Sequence, residues 1–269
     1  MTWLLERTVD KRFSPGGPTH GQRHQYLYPH SSCARWETAP AGRKAGCAVN
    51  DDDESGSPFF LSYAHVTEGS SGAGEAPDPD GLVSRFFDDL TENVSQLICP
   101  RADVPVGFMD QGMRGGMEWP DELLHAVGTC QVLVALLSAR YLQSQWCRME
   151  WHAFSLRSVR REAGTGASPR QGCIVPVIWA PFYSALPEHI HRIEIFSPTR
   201  VAEQGVRGHY QGNGVVGLLR MNRLHESYEI VAWQLAMHIA HIYHSQRTEH
   251  RQFNETELRE VLQEDSRGG

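Results

Sequence analysis

CQVLVALLSARYLQSQWCRME, residues 130–150, decides the fold. Residues 131–137 are apolar almost throughout, with no alternation of polar and apolar positions. Such a run is a strand covered on both faces, as in a parallel sheet with helices on each side. Ser144 is a good N-cap, and its spacing predicts a helix over about 145–162. Glu150 follows Trp146 by four positions, so an indole and a carboxylate share one helix face. A buried strand therefore delivers one acid, flanked by an aromatic, to the neighbourhood of its own C-terminal end.

The same punctuation repeats on either side. PFFLSYA (58–64) and VPVGFMD (104–110) are short apolar runs that predict strands. Between them LVSRFFDDLTENVSQLI (82–98) spaces its apolar residues helically, with one face for a core. A loose Gly- and Asp-rich stretch precedes that helix at 68–81. QGMRGGMEW (111–119) is a loop, and Pro120 suits the first turn of a helix to about 129. CIVPVIWA (173–180) predicts a fourth strand and RIEIF (192–196) a fifth, at the edge. A short helix is expected after Pro187, a Gly-containing loop at 205–217, and a long last helix at about 224–246. The charged tail, 247–269, is expected to fray.

Strand and helix alternate throughout, so the fold class is α/β: a five-stranded, mainly parallel sheet with helices on both faces, flavodoxin-like in outline. Right-handed crossovers bring all strand C-termini to one edge, where such folds bind ligands. The chain puts residues 62–65, 110–117, 138–141 and 180–183 there.

Composition narrows the function. The formal charge is −7. Residues 1–57 carry seven basic and seven acidic residues, so the remainder holds 18 basic against 25 acidic. That balance lacks the basic face that nucleic acid requires, and no nucleic-acid partner is expected. Residues 1–57, rich in Gly, Pro, His and Ser, are expected to be poorly ordered, followed by one domain over 58–246. No apolar stretch approaches the roughly 18–20 residues of a membrane span, so no membrane partner is expected. The N-terminus is too short and too charged for a signal peptide, and the expected location is cytoplasmic. The six cysteines show no paired spacing and are expected to be free thiols. Only two lysines occur, Lys11 and Lys44, against 23 arginines, a bias that fits GC-rich coding.

Three segments in order resemble a Toll/interleukin-1 receptor (TIR) domain. FFLSYA is similar to its first strand, ending in Ser-Tyr. GFMDQGMRGGMEWPDELL is similar to its second strand, BB loop and following helix. SQWCRME is similar to the start of its third helix. More narrowly, the WCRMEWHAF continuation resembles bacterial TIR-like proteins encoded beside FxSxx-COOH peptide-maturation systems, largely in actinobacteria. The Arg bias agrees with that.

The resemblance implies cleavage of the nicotinamide–ribose bond of NAD⁺, as in many bacterial and plant TIR domains, with NAD⁺ a substrate and no cofactor or metal. By position, Glu150 is the catalytic carboxylate. Trp146, Tyr63, Ser62 and Asp110 are substrate-binding candidates. Gln111, Arg114, Gly115 and Gly116 form the BB-loop interface of a self-associating protein. Other TIR or peptide-maturation proteins are further partners. The chain departs from catalytic relatives where a basic residue is common after Ser-Tyr, since Ala64 and His65 follow here.

Plainer alternatives stand beside these. Glu150 in isolation is a solvent-facing helix acid, Trp146 a core aromatic, and Asp110 with Gly115–Gly116 a structural loop. The alternative function is a non-catalytic adaptor acting through TIR–TIR contacts. Residues 212–217 fit GxGxxG but follow no strand, which argues against a dinucleotide fingerprint. His238, His241 and His244 fall on one side of the last helix and read as a polar face rather than a metal site.

Overall fold

The computed structural model describes residues 56–65, 79–110, 121–161, 172–199 and 204–258. The BB-loop candidates Gln111, Arg114, Gly115 and Gly116, and the segment 1–55, lie outside them.

Four parallel strands make the main sheet: β1 (Phe59–Ser62), β2 (Gly107–Met109), β3 (Val132–Leu137) and β5 (Ile174–Ile178), in the order β2-β1-β3-β5. All six residues of β3 are buried, as its unbroken apolar run requires. The strand faces divide by parity. Phe59, Leu61, Val132, Val134, Val175 and Val177 face one way, toward α1 (Pro79–Ser95), α5 (Gln204–Arg220) and α6 (His225–Ser245). Phe60, Leu133, Ala135 and Leu137 face the other, toward α2 (Asp121–Thr129) and α3 (Gln145–Ser155). Chain order reverses between β1 and β3, so the crevice at a topological switch point opens above those two strand ends.

The expected five-stranded sheet is corrected to four strands. RIEIF makes no strand: its Phe196 N–H donates to the Pro176 carbonyl at 2.8 Å. Pro176 turns that carbonyl outward but has no N–H to return, so a ladder cannot propagate on this edge of β5. The helix expected to reach about 162 stops at Ser155, and Val159–Arg161 forms β4 instead. Its antiparallel partner is β6, Gln246–Thr248, in the tail expected to fray. Beyond β6, Phe253 and Leu258 are buried against the α2–α3 side of the core. Charge along the tail concealed these two anchors.

The expected loop at 205–217 lies inside α5. Buried Tyr210, Val215 and Leu218 hold it despite its glycines, an instance of packing overriding propensity. Gly214 is the position where glycine is required. Its φ is +62°, and a Cβ there would stand 2.5 Å from the Trp179 carbonyl oxygen. The GxGxxG stretch thus contains a helix kink, at Gly214, seated on the end of β5. No helix among the described residues is long and apolar enough to cross a membrane.

Candidate functional site

Three elements meet at the switch point. β1 ends in Ser62, whose side chain lies on the same sheet face as that of Phe60. The loop after β3 passes into a 3-10 turn, Tyr141–Gln143, which plants Tyr141 with 3% of its surface exposed. Ser144 then caps α3 by accepting the Cys147 N–H at 3.3 Å, as its position in the sequence predicts. With α3 started there, Glu150 turns inward and is 5% exposed.

Glu150 therefore does not face solvent. Its Oε2 is hydrogen-bonded to the Ser62 hydroxyl. Ser62 Oγ also lies 3.1 Å from the Tyr141 hydroxyl. Burial pushes the Glu150 carboxyl up to about 8; the Ser62 hydrogen bond opposes this, the Asp110 charge adds to it, and the His65 charge opposes it. Burial likewise pushes the Tyr141 phenol and the neighbouring Cys147 thiol well up, so both stay neutral. Near neutral pH this is a cluster of uncharged polar groups whose carboxyl is poised to ionise.

His65 lies beside this cluster. Its Nδ1 is 3.6 Å from Asp80 at the start of α1, and its Nε2 is 3.6 Å from Asp110 at the end of β2. Burial alone would lower the imidazole, but the two carboxylates, Asp110 foremost, hold it above its usual range. The edge thus has a titratable base, its proton affinity raised by two carboxylates, close to the position where catalytic relatives commonly carry a basic residue. The sequence places it one residue late, and only the two aspartates identify it.

The remaining candidates separate. Tyr63 points to the opposite sheet face from Ser62, into the α1–α6 side of the core, with its ring 4.3 Å from that of His65. Trp146 is half-buried against the α2–α3 side of the core. Asp110 joins the site through His65 and its field on Glu150. The sequence places Tyr141 at the ligand edge but gives it no partner, because its contact with Ser62 spans 79 positions.

Residues 88–207 match the family model described as TIR domain. The four-stranded parallel sheet with its helices is the α/β TIR fold, and residues 88–207 are similar to a TIR domain. TIR domains belong to signalling and defence, and they commonly self-associate. No curated protein matches the chain.

Proposed function

We propose that this protein is a TIR-domain enzyme that cleaves NAD⁺ to nicotinamide and ADP-ribose, with Glu150 as the carboxylate that stabilises the ribose in the transition state. The observation that carries this reading is the buried Glu150 carboxyl at the switch-point edge, bonded to Ser62 and pushed up to about 8. A buried acid whose partner among the described residues is one hydroxyl weakens the folded state at neutral pH, and such groups concentrate where chemistry needs them.

The chemistry asks little of the protein. The C1′–N bond breaks with its electron pair passing to the pyridinium nitrogen, so nicotinamide leaves neutral and needs no acid. Positive charge develops on the ribose, water adds at C1′, and one proton is released. A carboxylate facing that charge stabilises the transition state more than the ground state. The cationic pyridinium brought near Glu150 favours its ionised form, so binding itself prepares the carboxylate.

A second reading is favoured by the same burial: at 5% exposure Glu150 can be a structural hydrogen-bonding partner of Ser62. The chain would then be an adaptor working through TIR–TIR contacts, in an FxSxx-COOH peptide-maturation locus. Nicotinamide release from NAD⁺ by concentrated, assembled protein separates the two. Release by the wild type that is lost in Glu150→Ala supports the enzyme. Equal release by both proteins rejects Glu150, and no release from an assembled wild type supports the adaptor.

A further inference from the structure

Ser62 has one proton and two oxygen neighbours, Glu150 Oε2 and the Tyr141 hydroxyl. A hydroxyl donates once, so the three groups form a chain that can run in one of two directions. When Glu150 is ionised, Ser62 must donate to it, and the Ser62 lone pair then accepts from Tyr141. Every proton in the chain has an acceptor. When Glu150 is protonated and donates to Ser62, Ser62 turns its own proton toward Tyr141. The phenol can then no longer donate to Ser62, so this direction gives up the Tyr141-to-Ser62 hydrogen bond. The two ionisation states of Glu150 are thus coupled to two arrangements of a phenol that never ionises itself.

We propose that Tyr141 is a positioning residue: its buried phenol, acting through Ser62, selects the chain direction that favours the ionised Glu150 carboxylate. This rests on the reading of Glu150 as the working carboxylate, but its physical content does not depend on turnover. The other groups that bear on Glu150 are identified by element: Asp110 at the end of β2, His65 beyond β1, and Cys147 one turn earlier on α3. Asp110 opposes ionisation and His65 favours it. Neither touches the hydroxyl chain, so their effects persist when Tyr141 is altered.

The test is the titration of Glu150 itself. The protein is labelled with ¹³C at glutamate carboxyls, and the Glu150 signal is identified by its loss in Glu150→Gln. Tyr141→Phe keeps the ring and removes the phenol oxygen. It is expected to raise the Glu150 midpoint by about one pH unit, the size of one net hydrogen bond. In a Ser62→Ala background the same change should move the midpoint by less than about 0.3 unit, because the relay is already cut. Site-specific 3-fluorotyrosine at 141, a stronger donor, should lower the midpoint and so guards against a mere packing effect. Where wild type releases nicotinamide, its pH–rate profile should shift with the midpoint. Coincident midpoints in wild type and Tyr141→Phe would overturn the proposal, as would an equal shift with and without Ser62. A protein that titrates as described yet releases no nicotinamide would sink the NAD⁺ reading and leave the relay standing.

Discussion

Glu150 and Arg157 lie seven residues apart, on α3 and just past its end, and each is 5% exposed. They solve the burial of charge in opposite ways. Arg157 donates to three backbone carbonyls: from Nη1 to Val127 at 3.0 Å and Cys130 at 2.6 Å, and from Nε to Glu249 at 3.0 Å. It ties the end of α2 to the tail strand. Burial lowers the guanidinium's affinity for its proton, yet arginine stays charged throughout the accessible range. Among the described residues Glu150 has one hydroxyl partner and no cation in contact, and burial drives it toward the neutral form. A buried charge met by several fixed dipoles is a staple. One left under-solvated at a ligand edge is a group held ready.

The largest stability effect should come from the staple. Arg157→Met strands three carbonyls and is expected to cost about 3–5 kcal/mol at every pH, read by denaturant unfolding. A loss below about 1 kcal/mol would erase the contrast. Glu150→Gln should behave oppositely. The folded carboxyl titrates near 8 against an unfolded value near 4.5, so its contribution is full below the unfolded value and falls as pH rises toward 8. The glutamine variant should therefore match wild type at about pH 4. At pH 8 it should be more stable, on the order of 2–3 kcal/mol, with Tm across pH as the readout. Equal stability at both pH values would mean that Glu150 is solvated.

Arg157→Lys sharpens the comparison, because an ammonium cannot reproduce the fork toward three carbonyls. A loss of about 1–2 kcal/mol is expected. The smallest effect belongs to His65. Its folded imidazole is held above 6.5 by two aspartates, so its stabilisation is present below that value and lost as pH rises through the folded one. His65→Gln should be weaker than wild type by about 0.5–1 kcal/mol at pH 6 and equal to it at pH 9, the partly exposed pair being screened.

How much was legible in the sequence follows the same division. Unbroken apolar runs announced β1, β3 and β5, and Ser144 announced α3, because each is a local pattern. The α/β class and the switch-point edge followed from their order. What stayed hidden depended on distant partners. Arg157, just past the end of α3, reaches carbonyls about 30 and 90 positions away in sequence. β4 and β6 pair across a similar interval, and Phe253 anchors a tail that looks merely charged. At the site, Glu150 was visible because Trp146 and the capped helix framed it. Its burial was not, because that depends on Ser62 and Tyr141 arriving from β1 and the turn after β3.

The central claim is that Glu150 is kept buried and poised because it acts on NAD⁺. The most direct measurement is kcat/KM for nicotinamide release across pH 5.5–9.5, for assembled wild type beside Glu150→Gln. The expected profile for wild type rises with pH to a plateau above about 8, as free-protein Glu150 ionises, with the variant at least about 100-fold lower throughout. Equal release by the two proteins, or none from the assembled wild type, would contradict it.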